Sequence, residues 1–186
     1  MTRPVFLAGE KVDLCPLESD GDLSEYLAWI NDQQTTRYMA TGKRPTSRKS
    51  LCEYIDRYNA SKDLLLSIVI KATGQHIGNI TLHSIDAQNS TGEIGILVGD
   101  PGARGQGYAS EALRLLVHHA FQRLNLNKLT AGLIVGNRAS QRLFEKAGFK
   151  LEGTLREQFY LDGKYLDGWR YGLLRREFLE GGPRGA

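Results

Sequence analysis

The sequence predicts one mixed α/β domain (α+β in its arrangement) with about seven strands and about four helices. Two observations predict this class. Segments of strand periodicity and of helix periodicity interleave along the chain, and three strand-like runs follow one another through short turn signals. A chain of 186 residues, 41% hydrophobic and 24% charged, suits one domain with a real core.

Residues 10–17 alternate around Val12 and Leu14 and read as a strand. Residues 22–31 place Leu23, Tyr26, Leu27 and Ile30 at helical spacing. Pro45 then precedes a second helix, capped by Thr46 or Ser47, with Leu51, Tyr54, Ile55 and Tyr58 on one face. The connection Arg37–Lys49 carries Arg37, Lys43, Arg44, Arg48 and Lys49 and no acid. Leu64–Lys71 and Ile77–Ile85 form a hairpin around Thr73-Gly74, and a turn over Asp86–Gly92 leads to a strand at Glu93–Val98. Tyr108–Leu124 reads as a helix with Ala112, Leu115, Leu116, Ala120 and Phe121 inward. Leu129–Val135 is a strand, and Asn137–Lys146 is a short helix stopped at Gly148. Two last strands, near Phe149–Tyr160 and Tyr165–Leu174, join at Asp162-Gly163, and the tail 181–186 is expected to be disordered.

Composition excludes some classes. No apolar run reaches the roughly 18 residues of a membrane helix, and the first ten residues are too weakly apolar for a signal peptide, so a cytoplasmic protein without a membrane role is expected. A net charge of +3 fits an anionic ligand but is too small to argue for nucleic acid. Cys15 and Cys52 read as reduced, packed thiols. His76, His83, His118 and His119 show no metal-ligand spacing, so no metal is expected.

The informative stretch is Asp-Pro-Gly-Ala-Arg-Gly-Gln-Gly-Tyr-Ala, residues 100–109, which runs from a strand through three glycines into a helix. Close glycines let a backbone approach a ligand, and a helix start points free N–H groups into the turn, which suits a phosphate. A Walker A loop fails because Tyr108 stands where its lysine belongs. A dinucleotide fingerprint fails because Ser110 stands where its third glycine belongs.

Arg104-Gly105-Gln106-Gly107-Tyr108-Ala109 resembles the pyrophosphate loop of the GNAT (Gcn5-related) acetyltransferases. Glu93–Asp100 resembles that family's central strand, and Asn137-Arg138-Ala139-Ser140 with Glu145–Phe149 resembles its short helix and final Gly-Phe. Trp29–Asp32, Leu155-Arg156, Asp162-Gly163 and Tyr165 resemble the branch that acetylates ribosomal-protein alanine, spermidine or amino sugar nucleotides. The resemblance implies one GNAT-type domain over residues 1–180, with a central mixed, mostly antiparallel sheet splayed between the fourth and fifth expected strands. It implies an N-acetyltransferase moving acetyl from acetyl-coenzyme A to a primary amine by direct attack. Acetyl-coenzyme A and an amine acceptor are then the partners, and a homodimer is the assembly to test.

By the same resemblance, the amides of Ile96, Leu97 and Val98, the loop Arg104, Gly105, Gln106, Gly107, Tyr108 and Ala109, and Asn137 and Arg142 would bind the cofactor. An amine with a pKa of about 10 must lose a proton before it attacks. Alternation puts Glu93 with Gly95, Leu97 and Gly99 on one strand face, which leaves space around its carboxylate. Glu93 is expected to be the general base, through water; the alternative is a strand-end carboxylate in solvent or a salt bridge. Many relatives carry a tyrosine seven residues after the helix asparagine, where this chain has Phe144, which cannot donate a proton. Ser140 is then expected either to protonate the leaving thiolate or to help cap its helix. Arg37, Tyr38, Arg44 and Tyr160 are the expected acceptor contacts. The basic connection favours an acceptor carrying phosphate, such as an amino sugar nucleotide, over a polycation; a protein N-terminus stays open, and Phe144 keeps open a non-catalytic acyl-coenzyme A sensor.

Overall fold

The computed structural model describes residues 4–180, so the expected tail 181–186 lies outside the described residues. The elements run β1 (Leu7–Ala8), β2 (Val12–Pro16), α1 (Ser24–Asn31), α2 (Arg48–Asn59), β3 (Leu64–Ile70), β4 (His76–Asp86), β5 (Thr91–Val98), a 3-10 turn (Pro101–Ala103), α3 (Tyr108–Gln122), β6 (Lys128–Ile134), α4 (Arg138–Lys146), β7 (Lys150–Leu161), β8 (Lys164–Leu174) and α5 (Arg175–Glu180). Two of these were not expected. β1 spans two residues, too few for alternation to show, and α5 spans six mostly charged ones.

One eight-stranded sheet takes the order β1-β2-β3-β4-β5-β6-β8-β7. Every neighbouring pair is antiparallel except β5–β6. That parallel contact holds only Thr91 opposite Lys128, Gly92 opposite Leu129 and Glu93 opposite Thr130. Beyond Glu93 the two strands part. The crossover that makes them parallel is the glycine loop with α3, which carries the chain from the end of β5 back to the start of β6.

The sheet is covered on both faces, and strand alternation divides the residues between them. Ile94 belongs to the core under α3, with Ile96 and Val98 packed against it, while Leu97 belongs to the core under α1 and α2. Likewise Leu66 joins the first core and Leu65 the second. Helix α3 buries Ala112, Leu113, Leu116, Val117, Ala120 and Phe121; Leu115, expected inward, lies at the margin. Each fully buried Leu or Phe contributes about 1.5–3 kcal/mol, so this one stripe fixes α3 on the sheet. On the other face Leu23, Tyr26, Ile30, Leu51 and Ile55 anchor α1 and α2. Ser47 caps α2 by accepting from the Ser50 N–H, worth about 1 kcal/mol.

Candidate active site

The segment between the end of β5 and the start of α3 is shaped by its glycines and by Asp100. Asp100 accepts from the Gly102 N–H at 2.7 Å and starts the 3-10 turn. Gly105 (φ +77°) and Gly107 (φ +86°) then take left-handed conformations that a side chain would strain. Nothing stands within 4 Å of where a Cβ on Gly105 would lie, and Gly105, Gln106 and Gly107 are all exposed. Gly107 begins α3, and no side chain caps its first turn. The free N–H groups of that turn, at the positive end of a fifteen-residue helix, are a cradle for an anion. Tyr108 and Ala109 follow, half-buried against the domain.

Arg104 does not point freely into that cradle. Its Nη2 reaches back over the strand end, to Thr35 Oγ1 at 3.3 Å and the Val98 carbonyl at 3.4 Å. Hydrogen bonds from Thr35 hold the Asp32 carboxyl below its ordinary pKa. A short chain of polar contacts thus links the α1–α2 connection to the end of β5. Trp29 of α1 lies directly on Gly99, leaving no room there for a Cβ.

Ile96, Leu97 and Val98 pair with β4 on one side, opposite Ile80, Asn79 and Gly78. No β6 residue pairs with them on the other side. The backbone groups that alternate toward that side face the opening between the strands, where a thioester carbonyl could meet an N–H.

Glu93 is the last paired residue before the strands part. Its Oε2 accepts from Arg170 Nη1 at 2.7 Å, so of the arrangements expected for this carboxylate the structure has the ion pair. Its Oε1 lies 3.3 Å from where a Cβ on Gly132 would be, and Gly132 is exposed. His83 faces Glu93 across β4–β5, and its Nε2 lies 3.8 Å from the Cβ position of Gly95. Glycines on both sides of Glu93 thus keep the sheet surface low around a carboxylate, a guanidinium and an imidazole. Sequence reasoning missed Arg170 and weighed His83 only as a metal ligand. A charged residue between Trp169 and Tyr171 was the available signal, but pairing it with Glu93 requires the β6–β8 register, which no local pattern carries.

Asn137 caps α4, accepting from the Ser140 N–H at 3.2 Å. The Ser140 hydroxyl makes no hydrogen bond among the described residues, so the cap comes from Asn137 rather than from Ser140. Phe144 is buried against Phe149, with ring centroids 5.1 Å apart, and takes no part in the surface of the site. Nor is Tyr171 a free donor. Its hydroxyl donates to Glu145 at 3.0 Å, and burial together with that carboxylate raises its pKa. Arg142 is exposed and has no hydrogen-bond or ion-pair partner among the described residues.

On the acceptor side, Arg37 meets Asp162 of the β7–β8 turn at 2.6 Å. That ion pair brings the basic connection and the last hairpin together. The Tyr38 hydroxyl lies 3.8 Å from the Cβ position of Gly136, next to Asn137. Arg44 is exposed in an irregular segment, and Tyr160 packs on Tyr165 at 5.2 Å. A hollow of about 770 Å³ lined by Leu155, Arg156, Glu157, Gln158 and Asp167 sits at the bulge of β7 and contains none of the expected site residues. Among the described residues there is no cluster of three or more potential metal ligands and no helix long and apolar enough to cross a membrane.

Residues 11–150 match the family model of the acetyltransferase (GNAT) domain. The chain is 32% identical over 176 residues to an uncharacterized N-acetyltransferase, p20, of Bacillus licheniformis, covering 91% of this chain and 96% of the relative. A solved Vibrio cholerae spermidine N-acetyltransferase in complex with coenzyme A and spermine has a TM-score of 0.83 at 25% identity, over 92% of this chain and 99% of that one. A ribosomal-protein alpha-N-acetyltransferase in complex with coenzyme A shares the fold, with a TM-score of 0.82 at 19% identity over 92% and 98%.

Proposed function

The chain belongs to the GNAT acetyltransferase family and is an acetyl-coenzyme A-dependent N-acetyltransferase; on that premise we propose that its acceptor is a small primary amine carrying phosphate, such as an amino sugar nucleotide. The observation that carries the acceptor reading is the charge around the acceptor side. Lys43 and Arg44 lie exposed on the connection with no acid beside them in sequence, Arg37 and Asp162 offset each other, and the carboxylate at the strand fork is already met by Arg170. A polycation would find little uncompensated negative charge there. A protein N-terminus is the second reading, favoured by the likeness to the ribosomal-protein enzyme.

The glycine loop and the open start of α3 fit a pyrophosphate, because neither left-handed glycine puts a side chain of its own into the cradle. Acetyl-coenzyme A supplies the acyl thioester. Gly105, Gln106, Gly107, Tyr108 and Ala109 hold its phosphates by backbone N–H, Arg104 braces the strand end beside them, and Asn137 and Arg142 flank the pantetheine. Of the amides of Ile96, Leu97 and Val98, those that alternate toward the opening meet the carbonyl oxygen as charge develops on it. The amine nitrogen bonds to the acetyl carbon and the carbon–sulfur bond breaks. Glu93 takes the amine's proton through water on Oε1 while Arg170 holds Oε2. The Ser140 hydroxyl donates to the departing sulfur. Tyr38 and Tyr160 wall the acceptor side.

A thiol-release assay with acetyl-coenzyme A tests this across amino sugar nucleotides, polyamines, peptides with free N-termini and aminoglycosides. The highest kcat/KM is expected for an amino sugar nucleotide. A preference for peptides would establish the second reading. Coenzyme A binding with no thiol released for any amine would replace the enzyme by an acyl-coenzyme A sensor.

A further inference from the structure

The turn between β1 and β2 lies against the start of α3, far from it in sequence. Glu111, in the first turn of α3, is buried and spends both carboxylate oxygens on this turn. It accepts from the Lys11 N–H at 3.1 and 3.2 Å and from the Glu10 N–H. Gly9 lies so close to Glu111 that a Cβ there would press on Oε1. Lys71, just past the end of β3, fastens the same turn, donating from Nζ to the Gly9 carbonyl at 2.9 Å and from its N–H to the Lys11 carbonyl at 2.9 Å. The backbone of Lys11 is therefore fixed by neighbours on α3 and just past β3.

Its side chain points to the glycine loop. Lys11 Nζ lies 3.8 Å from where a Cβ on Gly107 would be. It has no counter-ion and no hydrogen-bond acceptor among the described residues. A lysine ammonium beside the uncapped, positive end of a helix is unfavourable on its own, because the charge and the dipole repel. An anion between them turns both terms favourable. Glu111, against the same turn, is already occupied by backbone donors, and Asp13 accepts from the Gly9 N–H.

We propose that Lys11 is a cofactor-binding residue: its ammonium closes the glycine-loop cradle over the pyrophosphate of coenzyme A, adding a charged donor from the β1–β2 turn to the amides of Gly107 and α3. This rests on the reading of the loop as the coenzyme A site. The β1–β2 turn, held by Glu111 and Lys71, is then part of the binding site and sets the reach of that donor.

Calorimetric Kd values of the full-length protein for coenzyme A, 3′-dephospho-coenzyme A and pantetheine test it, on the parent, Lys11→Ala and Lys11→Arg. Lys11→Ala should raise Kd about tenfold, or about 1.4 kcal/mol, for both phosphate-bearing ligands. It should leave pantetheine unchanged, and Lys11→Arg should recover most of the loss. The effect should shrink as salt is raised. Thermal melting supplies a second readout of opposite sign. Without ligand, Lys11→Ala should melt no lower than the parent, because a repulsive charge has gone; with coenzyme A its stabilisation should be smaller. Equal Kd values for parent and Lys11→Ala would overturn the assignment. So would a loss seen with coenzyme A but not with its 3′-dephospho form, which would move the contact to the other phosphate. A parent that fails to bind coenzyme A would instead overturn the reading of the loop.

Discussion

The cofactor side of the parted sheet is held by backbone, and the acceptor side by side chains. On the first, the left-handed φ angles of Gly105 and Gly107 and the free amides of α3 are consequences of main-chain conformation, seated on a stripe of fully buried residues. On the second, residues 32–47 form no regular element, and their tie to the far hairpin is an exposed ion pair, Arg37–Asp162, whose partners keep 53% and 64% of their side-chain surface. Such a pair is worth about 0–1 kcal/mol. A main-chain site tolerates little change and serves one ligand. A side-chain site on irregular segments can be re-lettered without cost to the core, which suits a family that keeps its acyl donor and varies its amines.

The strongest way to break that contrast is to attack the backbone side. Gly107→Val places a branched side chain at a left-handed position in the mouth of the cradle. Coenzyme A affinity should fall by about 100-fold or more, on the scale of lost charge-assisted contacts, with circular dichroism unchanged. Retained affinity would remove the loop from the cofactor site.

At the fork itself, Glu93→Gln keeps the shape and removes the base. Turnover should fall by roughly 100-fold, and the loss should shrink as pH rises, since more of the amine is then already neutral. Ser140→Ala should cost less and hurt more at high pH, where protons for the departing sulfur are scarce. Parental turnover of Glu93→Gln at neutral pH would eliminate Glu93, leaving its pairing with Arg170 as a structural tie.

The smallest effect is expected on the side-chain half. Replacing Arg37 and Arg44 together by alanine should raise KM for a phosphate-bearing acceptor about tenfold and leave the Kd for coenzyme A and the melting temperature near parental. Equal weakening of both ligands would erase the division between the two sides.

The same division governs what the sequence discloses. Gly102, Gly105 and Gly107 before an amphipathic helix state a backbone conformation locally, so the loop and α3 were legible. The strand alternation around Glu93 was legible too, because it is a local period. Arg170 was not, since its place beside Glu93 follows from β8 pairing with β6, two elements with a helix and a strand between them in the chain. Nor was the Arg37–Asp162 contact itself, whose partners are 125 residues apart. The β7 bulges, with Glu157 at φ +50°, arise from pairing irregularity and left no mark in composition.

The short parallel contact between β5 and β6 has a mechanical consequence. Three residue pairs join these strands, against seven for β4–β5 and seven for β6–β8. The sheet is therefore two stiff plates with a short weld, bridged on one face by α3. Pulled from its ends, such a sheet parts first at the weld, and past Glu93 the fork has no strand-to-strand bonds left to break. A ligand laid along the edge of β5 would act as a splint across that fork, so the acyl donor would be a strut of the enzyme for as long as it is bound.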